Sequence, residues 1–220
     1  MSIIDKKKKE YKSNLILDFN LKEIMIGLLL GDGSLQTFSN TGNTWRLRII
    51  QGGENHFEYI KHLRTLFDDW TVMPIRENHE ISKTGKIYKK WYFNTLSFEQ
   101  FAELGNAFYK LDDEKLKWRK VIPIDIKDLI SDLSLAYWFM DDGSNKWKNK
   151  VLAMRICTES FSELEINMLI AVLKEKFNIN ANKSFHNNNW RLYIGVENYD
   201  KMKELIYPHI IPSMRYKFPV

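Results

Sequence analysis

Residues 131–144 read SDLSLAYWFMDDGS, an apolar run of helical length that stops in two aspartates and a glycine. Residues 20–34, NLKEIMIGLLLGDGS, have the same shape, and both stretches close on Asp-Gly-Ser, at Asp32-Gly33-Ser34 and Asp142-Gly143-Ser144. Asn20 with Glu23 reads as a capping box and Ser131 as an N-cap, so each run is expected to be a helix. Gly33 and Gly143 stand where a helix would end in a left-handed residue. Neither run is long enough to cross a bilayer, which makes both core helices. Gly27 and Gly31 leave one side of the first helix nearly bare, and Ala136 does the same in the second; small residues at that spacing let two backbones approach closely.

The carboxylates work against this arrangement. A helix C-terminus carries partial negative charge, so an aspartate there is misplaced. If the helices pack side by side in parallel, Asp32 and Asp142 also repel each other. A divalent cation removes both problems, and Mg²⁺, which takes oxygen ligands and keeps several waters, suits two carboxylates beside phosphate; Mn²⁺ or Ca²⁺ can take the same place. Asp-Gly is common in turns, so one copy alone argues little. Two copies argue for a pair.

Outward from each helix the pattern changes to period two. Trp45, Leu47 and Ile49 alternate with Arg46 and Arg48, a half-buried strand, and Asn40-Thr41-Gly42-Asn43 makes residues 34–38 its hairpin partner. A helix over 54–67 follows, with Tyr59, Leu63, Leu66 and Phe67 on one side. Residues 71–78 then pair with 86–94, and another helix runs over 98–109. Residues 111–128 read as a charged connector. The second half repeats the plan: a hairpin through Asn145 to a strand at 151–156, a helix over 162–177, a hairpin joining Asn182-Lys183 to residues 190–194, and a last helix over 199–207. Asp32 to Asp142 is a step of 110 residues, as are Leu63 to Leu173 and Phe67 to Phe177. Trp91 to Trp190 is 99 and Lys120 to Lys217 is 97, so the second copy is shorter within its later hairpin. Such a repeat implies two like halves about a pseudo-two-fold axis, the symmetry of a duplex backbone. The expected domains are 1–110, a connector at 111–128, and 129–220. The expected class is α+β.

Composition agrees with a polyanion partner. The 220 residues are 44% hydrophobic and carry a formal net charge of +5,. The single cysteine, Cys157, excludes an internal disulfide framework and a cysteine-based zinc site,. The start, MSIIDKKKKEYK, has no apolar signal core, and with Asp5, Glu10 and no arginine it is a poor transit peptide. His56, His62, His79, His186 and His209 do not fall at zinc-ligand spacing and read as surface or satisfied core residues. Trp45, Trp91 and Trp190 read as core. With the apolar strand residues facing helices, Arg46, Arg48, Lys90, Arg155 and Arg191 face the open side, where a β-ribbon fits the major groove and Arg or Lys can read guanine. Ser34, Gln36, Lys86, Lys146, Trp147, Lys148, Lys150 and Lys183 complete the expected DNA-binding set.

IGLLLGDGS and LAYWFMDDGS resemble the two signature motifs of the LAGLIDADG homing endonucleases in their single-chain form, and the resemblance spans nearly the whole chain. The second motif and Arg215-Tyr216-Lys217-Phe218-Pro219 are similar to members encoded in large-rRNA introns of mitochondria. The resemblance implies two pseudo-symmetric αββαββα halves, saddle-shaped antiparallel sheets on DNA and two parallel interface helices. It implies a monomer that cuts a long double-stranded DNA site with a divalent metal, leaving short 3′ overhangs. Asp32 and Asp142 would bind metal, with the backbone carbonyls of Gly31 and Asp141 completing the coordination. Lys120 and Lys217 would stand near the scissile phosphates. Gln51 matches the family's polar residue near the bound water. Its partner in the second half is best matched by Glu159, in Cys-Thr-Glu-Ser-Phe, where the similar intron-encoded member has glutamine; that departure questions equal activity of the two centres. The resemblance places the protein in the mitochondrion, with chloroplast or bacterial cytoplasm as alternatives, and free of membrane. Two other activities fit the same scaffold, an RNA-binding intron maturase and a DNA-binding regulator without catalysis. Retention of both aspartates favours the nuclease.

Overall fold

The computed structural model describes residues 10–81, 85, 87–112, 114, 117–148, 151–186 and 189–218, with the side chains of 146–148, 151 and 186 outside the description. The first helix, α1 (Phe19–Leu30), begins at Asp18, whose carboxylate accepts from the Leu21 amide at 2.8 Å. This N-cap replaces the expected Asn20–Glu23 box: the chain turns two residues earlier, and the aspartate takes the orphan N–H. Every residue from Ile24 to Leu30 is buried. A helix enclosed on all sides has no polar face, which is why its sequence shows no amphipathic stripe.

β1 (Ser34–Gln36) and β2 (Arg46–Gly52) form the first hairpin. In β2, Leu47, Ile49 and Gln51 are buried while Arg46, Arg48 and Ile50 are half-exposed, the alternation read from the sequence,. A short 3₁₀ turn over Glu54–His56 leads into α2 (Phe57–Leu66), which buries Tyr59, Ile60 and Leu63. β3 (Arg76–Ile81) pairs with β4 (Ile87–Asn94). The strand expected from residue 71 begins only at Arg76, because Thr71 turns its hydroxyl onto the Asn94 carbonyl at 2.6 Å and Arg64 ties down the Met73 carbonyl at 2.9 Å. α3 (Ala102–Phe108) then runs directly into β5 (Tyr109–Asp112), which pairs with β6 (Lys117–Lys120). The expected connector is thus partly a hairpin. It belongs to the first half, since the Leu35 amide donates to the Tyr109 hydroxyl at 2.9 Å. Its function is visible at its end, which delivers Lys120.

After the short α4 (Ile126–Leu129) comes α5 (Asp132–Asp142), capped by Ser131, whose hydroxyl accepts from the Ser134 amide at 3.1 Å. Next are β7 (Gly143–Lys148), β8 (Val151–Cys157) and α6 (Glu163–Phe177), the last with a full capping box between Ser162 and Glu165. β9 (Ala181–His186), β10 (Asn189–Ile194) and α7 (Val196–Ile206) complete the half. A 3₁₀ segment over Pro212–Lys217 follows.

The two sheets have the same order, β1-β2-β4-β3 and β7-β8-β10-β9, all antiparallel. The expected repeat is therefore present in topology. Between the halves α1 packs on α5. A Cβ on Gly27 would lie 2.3 Å from the Ser134 carbonyl oxygen, and one on Gly31 would lie 2.5 Å from the Asp141 carboxylate. The bare side of α1 is the contact. Gly33 and Gly143 are not left-handed: the positive-φ glycines among the described residues are Gly42, Gly53 and Gly85. They are glycine for space. A Cβ on Gly143, where α5 passes straight into β7, would meet the Phe139 ring at 2.2 Å, and one on Gly33, in the three-residue turn between α1 and β1, the Leu28 carbonyl oxygen at 2.8 Å.

Candidate active site

The ends of α1 and α5 bring Asp32, Asp141 and Asp142 together at the middle of the molecule. Asp141 turns inward. Its carboxylate accepts from the Asp32 backbone amide at 3.0 Å and from Gln51 Nε2 at 3.0 Å, so it ties the two halves together. Burial, then the charges of Asp32 and Asp142, hold its carboxyl well above the usual range. The enclosed Tyr59 hydroxyl lies beside it, short of regular hydrogen-bond geometry, and is pushed up by burial and then by Asp141.

Asp32 and Asp142 face outward. Protein crowds both carboxyls from below while an edge stays open to solvent. Burial raises Asp32, opposed by Lys120 and Lys217. Burial raises Asp142 to about 7, with repulsion from Asp32 adding to it. The two groups thus share one electrostatic site.

Two ammonium groups stand beneath them. Lys120 Nζ, from β6, donates to the carbonyls of Gly31 at 3.2 Å and Gly33 at 2.7 Å. Lys217 Nζ donates to the carbonyls of Phe139, Met140, Asp141 and Gly143 at 3.2, 2.6, 3.3 and 2.8 Å. The helix ends have orphan carbonyls and partial negative charge, and a lysine at each satisfies both. Burial lowers Lys120 to about 8 and lowers Lys217 also, against the attraction of the three aspartates. The two lysines arrive differently, one on a strand and one on a 3₁₀ segment, and reach equivalent places.

Gln51 is 1% exposed. Its Nε2 also lies 3.4 Å from Asp32, and its Oε1 accepts from His56 Nδ1 at 2.8 Å. His56 Nε2 is 3.0 Å from the Tyr216 hydroxyl of the second half. Burial and then Lys217 lower the His56 pKa, which favours the neutral ring. His56 was missed by the sequence reading, since a lone histidine shortly after a strand carries no spacing signal.

Glu159 does not take the corresponding place in the second half. Ser34 pairs with Arg48 and Ser144 with Arg155, and carrying that register three residues on makes Thr158 the counterpart of Gln51 in the second half. Thr158 donates to the Trp190 carbonyl at 2.7 Å, and Glu159 is ion-paired with Arg191.

The basic residues line the sheets as the alternation predicts, though several hold partners within the chain. Arg46 donates to Gln36 at 2.9 and 3.1 Å and lies over the Phe38 ring at 4.6 Å. Arg48 lies over Tyr92. Lys90 pairs with Glu80, and Lys183 with Glu163. Arg155, Lys183 and Arg191 converge on one open cleft in the second sheet. Ser34 borders Asp32 at the start of β1. Trp45 and Trp91 are core; Trp190 is half-buried and packs at a tilt against Phe185. Lys86 and Lys150 lie outside the described residues, as do the side chains of Lys146, Trp147 and Lys148.

Among the described residues no three His, Cys, Asp or Glu side chains are grouped to hold a metal by themselves. Two hard carboxylates with raised pKa and an open edge do fit Mg²⁺, which takes one or two carboxylates and fills its shell with water and substrate phosphate.

Residues 22–202 match the model of the LAGLIDADG DNA endonuclease family. The chain belongs to that family. It is 35% identical over 205 residues to DNA endonuclease I-ChuI of Chlamydomonas applanata, covering 89% of this chain and 93% of that one. It is 32% identical over 210 residues to the cytochrome b mRNA maturase bI2 of Debaryomyces hansenii, covering 93% and 75%. In structure it is similar to the homing endonuclease I-WcaI bound to its DNA recognition sequence, with a TM-score of 0.87 at 28% identity over 100% of this chain and 95% of that one. The LAGLIDADG fold of two halves, expected from the motifs, is the fold observed.

Proposed function

We propose that the protein is a homing endonuclease that cuts both strands of a long DNA site by divalent-metal-assisted phosphodiester hydrolysis, leaving short 3′ overhangs. The observation that carries this reading is the paired Asp32 and Asp142 at abutting helix ends, each with a half-buried lysine behind it. The two aspartates do not help the fold: like negative charges at helix C-termini cost stability.

Asp32 and Asp142 would hold the cation, with the Gly31 and Asp141 carbonyls, already shared with Lys120 and Lys217, as further oxygen donors. When bound, the cation polarises the phosphate, lowers the pKa of an attacking water and stabilises the leaving 3′-oxygen. The chain's own groups do the rest. Lys120 and Lys217 place positive charge beside the phosphate where negative charge grows. Lys120, held near pKa 8, can also exchange a proton at working pH,. Gln51 directs an N–H toward Asp32 and a water beside it. The half-exposed Arg46, Arg48, Arg155 and Arg191 meet the grooves,. The protein acts as a monomer, with both centres on one chain. Its place is an organelle, the mitochondrion before the chloroplast or a bacterial cytoplasm. No helix among the described residues is long and apolar enough to cross a membrane.

The test uses a duplex spanning the uninterrupted exon junction, with Mg²⁺. Asp32→Asn and Asp142→Asn should each lose about 10³-fold or more in cleavage, since several kcal/mol of charge stabilisation go with the cation, while DNA binding persists. Undiminished cutting by either variant removes the metal role, and binding by the parent without cutting points to a regulator. The maturase relationship favours one second activity, assistance to splicing of the intron RNA, read by a splicing assay on the same variants.

A further inference from the structure

The side-chain amide of Gln51 has two ends of nearly equal size, and the chemistry needs one of them. Nε2 faces Asp141 at 3.0 Å and Asp32 at 3.4 Å, and Oε1 faces His56 Nδ1 at 2.8 Å. An amide oxygen only accepts, so Nδ1 must carry the proton. The other ring nitrogen, Nε2, is then a lone pair and accepts from the Tyr216 hydroxyl at 3.0 Å,. Donation therefore runs one way, from Tyr216 through His56 and Gln51 to the carboxylates, and bonds in such a chain reinforce one another.

We propose that His56 is the positioning residue of the first-half centre: its Nδ1–H holds the Gln51 amide with N–H toward Asp32, and Tyr216, reaching over from the second half, holds the imidazole in the tautomer that does so. This rests on the endonuclease reading for its consequence, but the relay itself does not. Gln51 and His56 sit at the end of β2 and in the 3₁₀ turn after it, while Tyr216 precedes Lys217, so the relay also ties the second half's lysine segment to the first half's site. Among the described residues the second half has no equivalent. Thr158 holds the position that corresponds to Gln51 and bonds its own sheet. The residue five on from Thr158 is Glu163, and the one 110 on from His56 is Ile166. The device serves one strand of the duplex.

Two substitutions separate positioning from bulk. In His56→Asn the side-chain amide reaches the place of Nδ1 and can still donate to Gln51. In His56→Gln it reaches the place of Nε2 and meets Tyr216 but not Gln51. Single-turnover cleavage is followed with each DNA strand labelled separately and the full chain in excess. His56→Gln should slow one strand by about tenfold to a hundredfold, the range for a misplaced catalytic group. His56→Asn should recover most of that loss. The other strand and the DNA affinity should not change in either variant. Gln51→Ala combined with His56→Gln should be no slower than Gln51→Ala alone. Equal loss in the two variants, or equal slowing of both strands, overturns the proposal. A second readout needs no cleavage. Nitrogen NMR of ¹⁵N-histidine-labelled protein should show His56 protonated at Nδ1, the tautomer a free neutral histidine disfavours, and Tyr216→Phe should weaken that preference. An Nε2-protonated His56 overturns the relay. A parent protein that shows the Nδ1–H tautomer yet cuts no DNA keeps the relay and sinks the endonuclease reading.

Discussion

Asp142, with its carboxyl raised to about 7, and Lys120, with its ammonium lowered to about 8, each pull against folding at neutral pH. For Asp142 the folded chain holds a proton that the unfolded chain, with an ordinary value of 3.8, has released, so metal-free stability falls as pH rises from about 4 to about 7,. For Lys120 the unfolded chain, at 10.5, keeps a proton the folded one has lost, so stability recovers from about 8 to 10.5,. Urea midpoints in chelator should therefore pass through a minimum between these windows. Asp142→Asn should make the falling limb shallower, Asp32 and Asp141 supplying the rest, and raise the metal-free melting temperature near pH 7.5 by roughly 2–4 °C for each kcal/mol relieved,. A residue that weakens the fold while occupying its centre is held there for its chemistry. The same carboxyls must lose protons to take a cation, so cation affinity by calorimetry should tighten between pH 6 and 8, with proton release.

At the scale of elements, α1 and α5 touch through backbone, and no side chain can be added at their crossing. Gly27→Ala sets a methyl 2.3 Å from the Ser134 carbonyl, against helix backbone that cannot step aside. It should cost about 2–4 kcal/mol, in the range of overpacked cores, read as a drop in urea midpoint. Gly31→Ala meets the Asp141 carboxylate at 2.5 Å. It should disturb the Asp141 bonds to Asp32 and Gln51, and so lower cleavage more than stability. The β5–β6 hairpin shows why residues 111–128 were misread. Its strands of four residues each carry charges on the exposed face, and in isolation such a segment has no pattern distinct from a loop,.

At the scale of the molecule, one apolar cluster runs from Leu21 through both halves to Phe218. The halves share a core, so calorimetry should show one unfolding transition rather than two. The open faces of the two sheets carry the arginines, and the site lies between them. With about six to ten phosphates neutralised, DNA affinity should fall by roughly 10³–10⁵ between 50 and 200 mM salt. Arg48→Ala, on the open face of β2, should reduce that slope by about one if its contact is to phosphate, and should relax preference at one base pair if it is to guanine,.

The repeated plan of the two halves, the pairing of the two helices, the buried faces of the strands and the repeated positions of Asp32 with Asp142 and Lys120 with Lys217 were legible in the chain, because each depends on local periodicity or on a pattern stated twice; Gln51 rested on the family resemblance alone, and the β5–β6 hairpin showed no pattern of its own. Small residues on α1 by themselves imply a close crossing,. The tertiary structure alone decided which groups face one another from distant places in the sequence. It turned Asp141 inward to bridge the halves, brought Lys120 and Lys217 to matching carbonyls on unlike elements, and laid Tyr216 against His56 across 160 residues. Side-chain direction at such positions depends on the packing of both halves at once, and no window of sequence contains both.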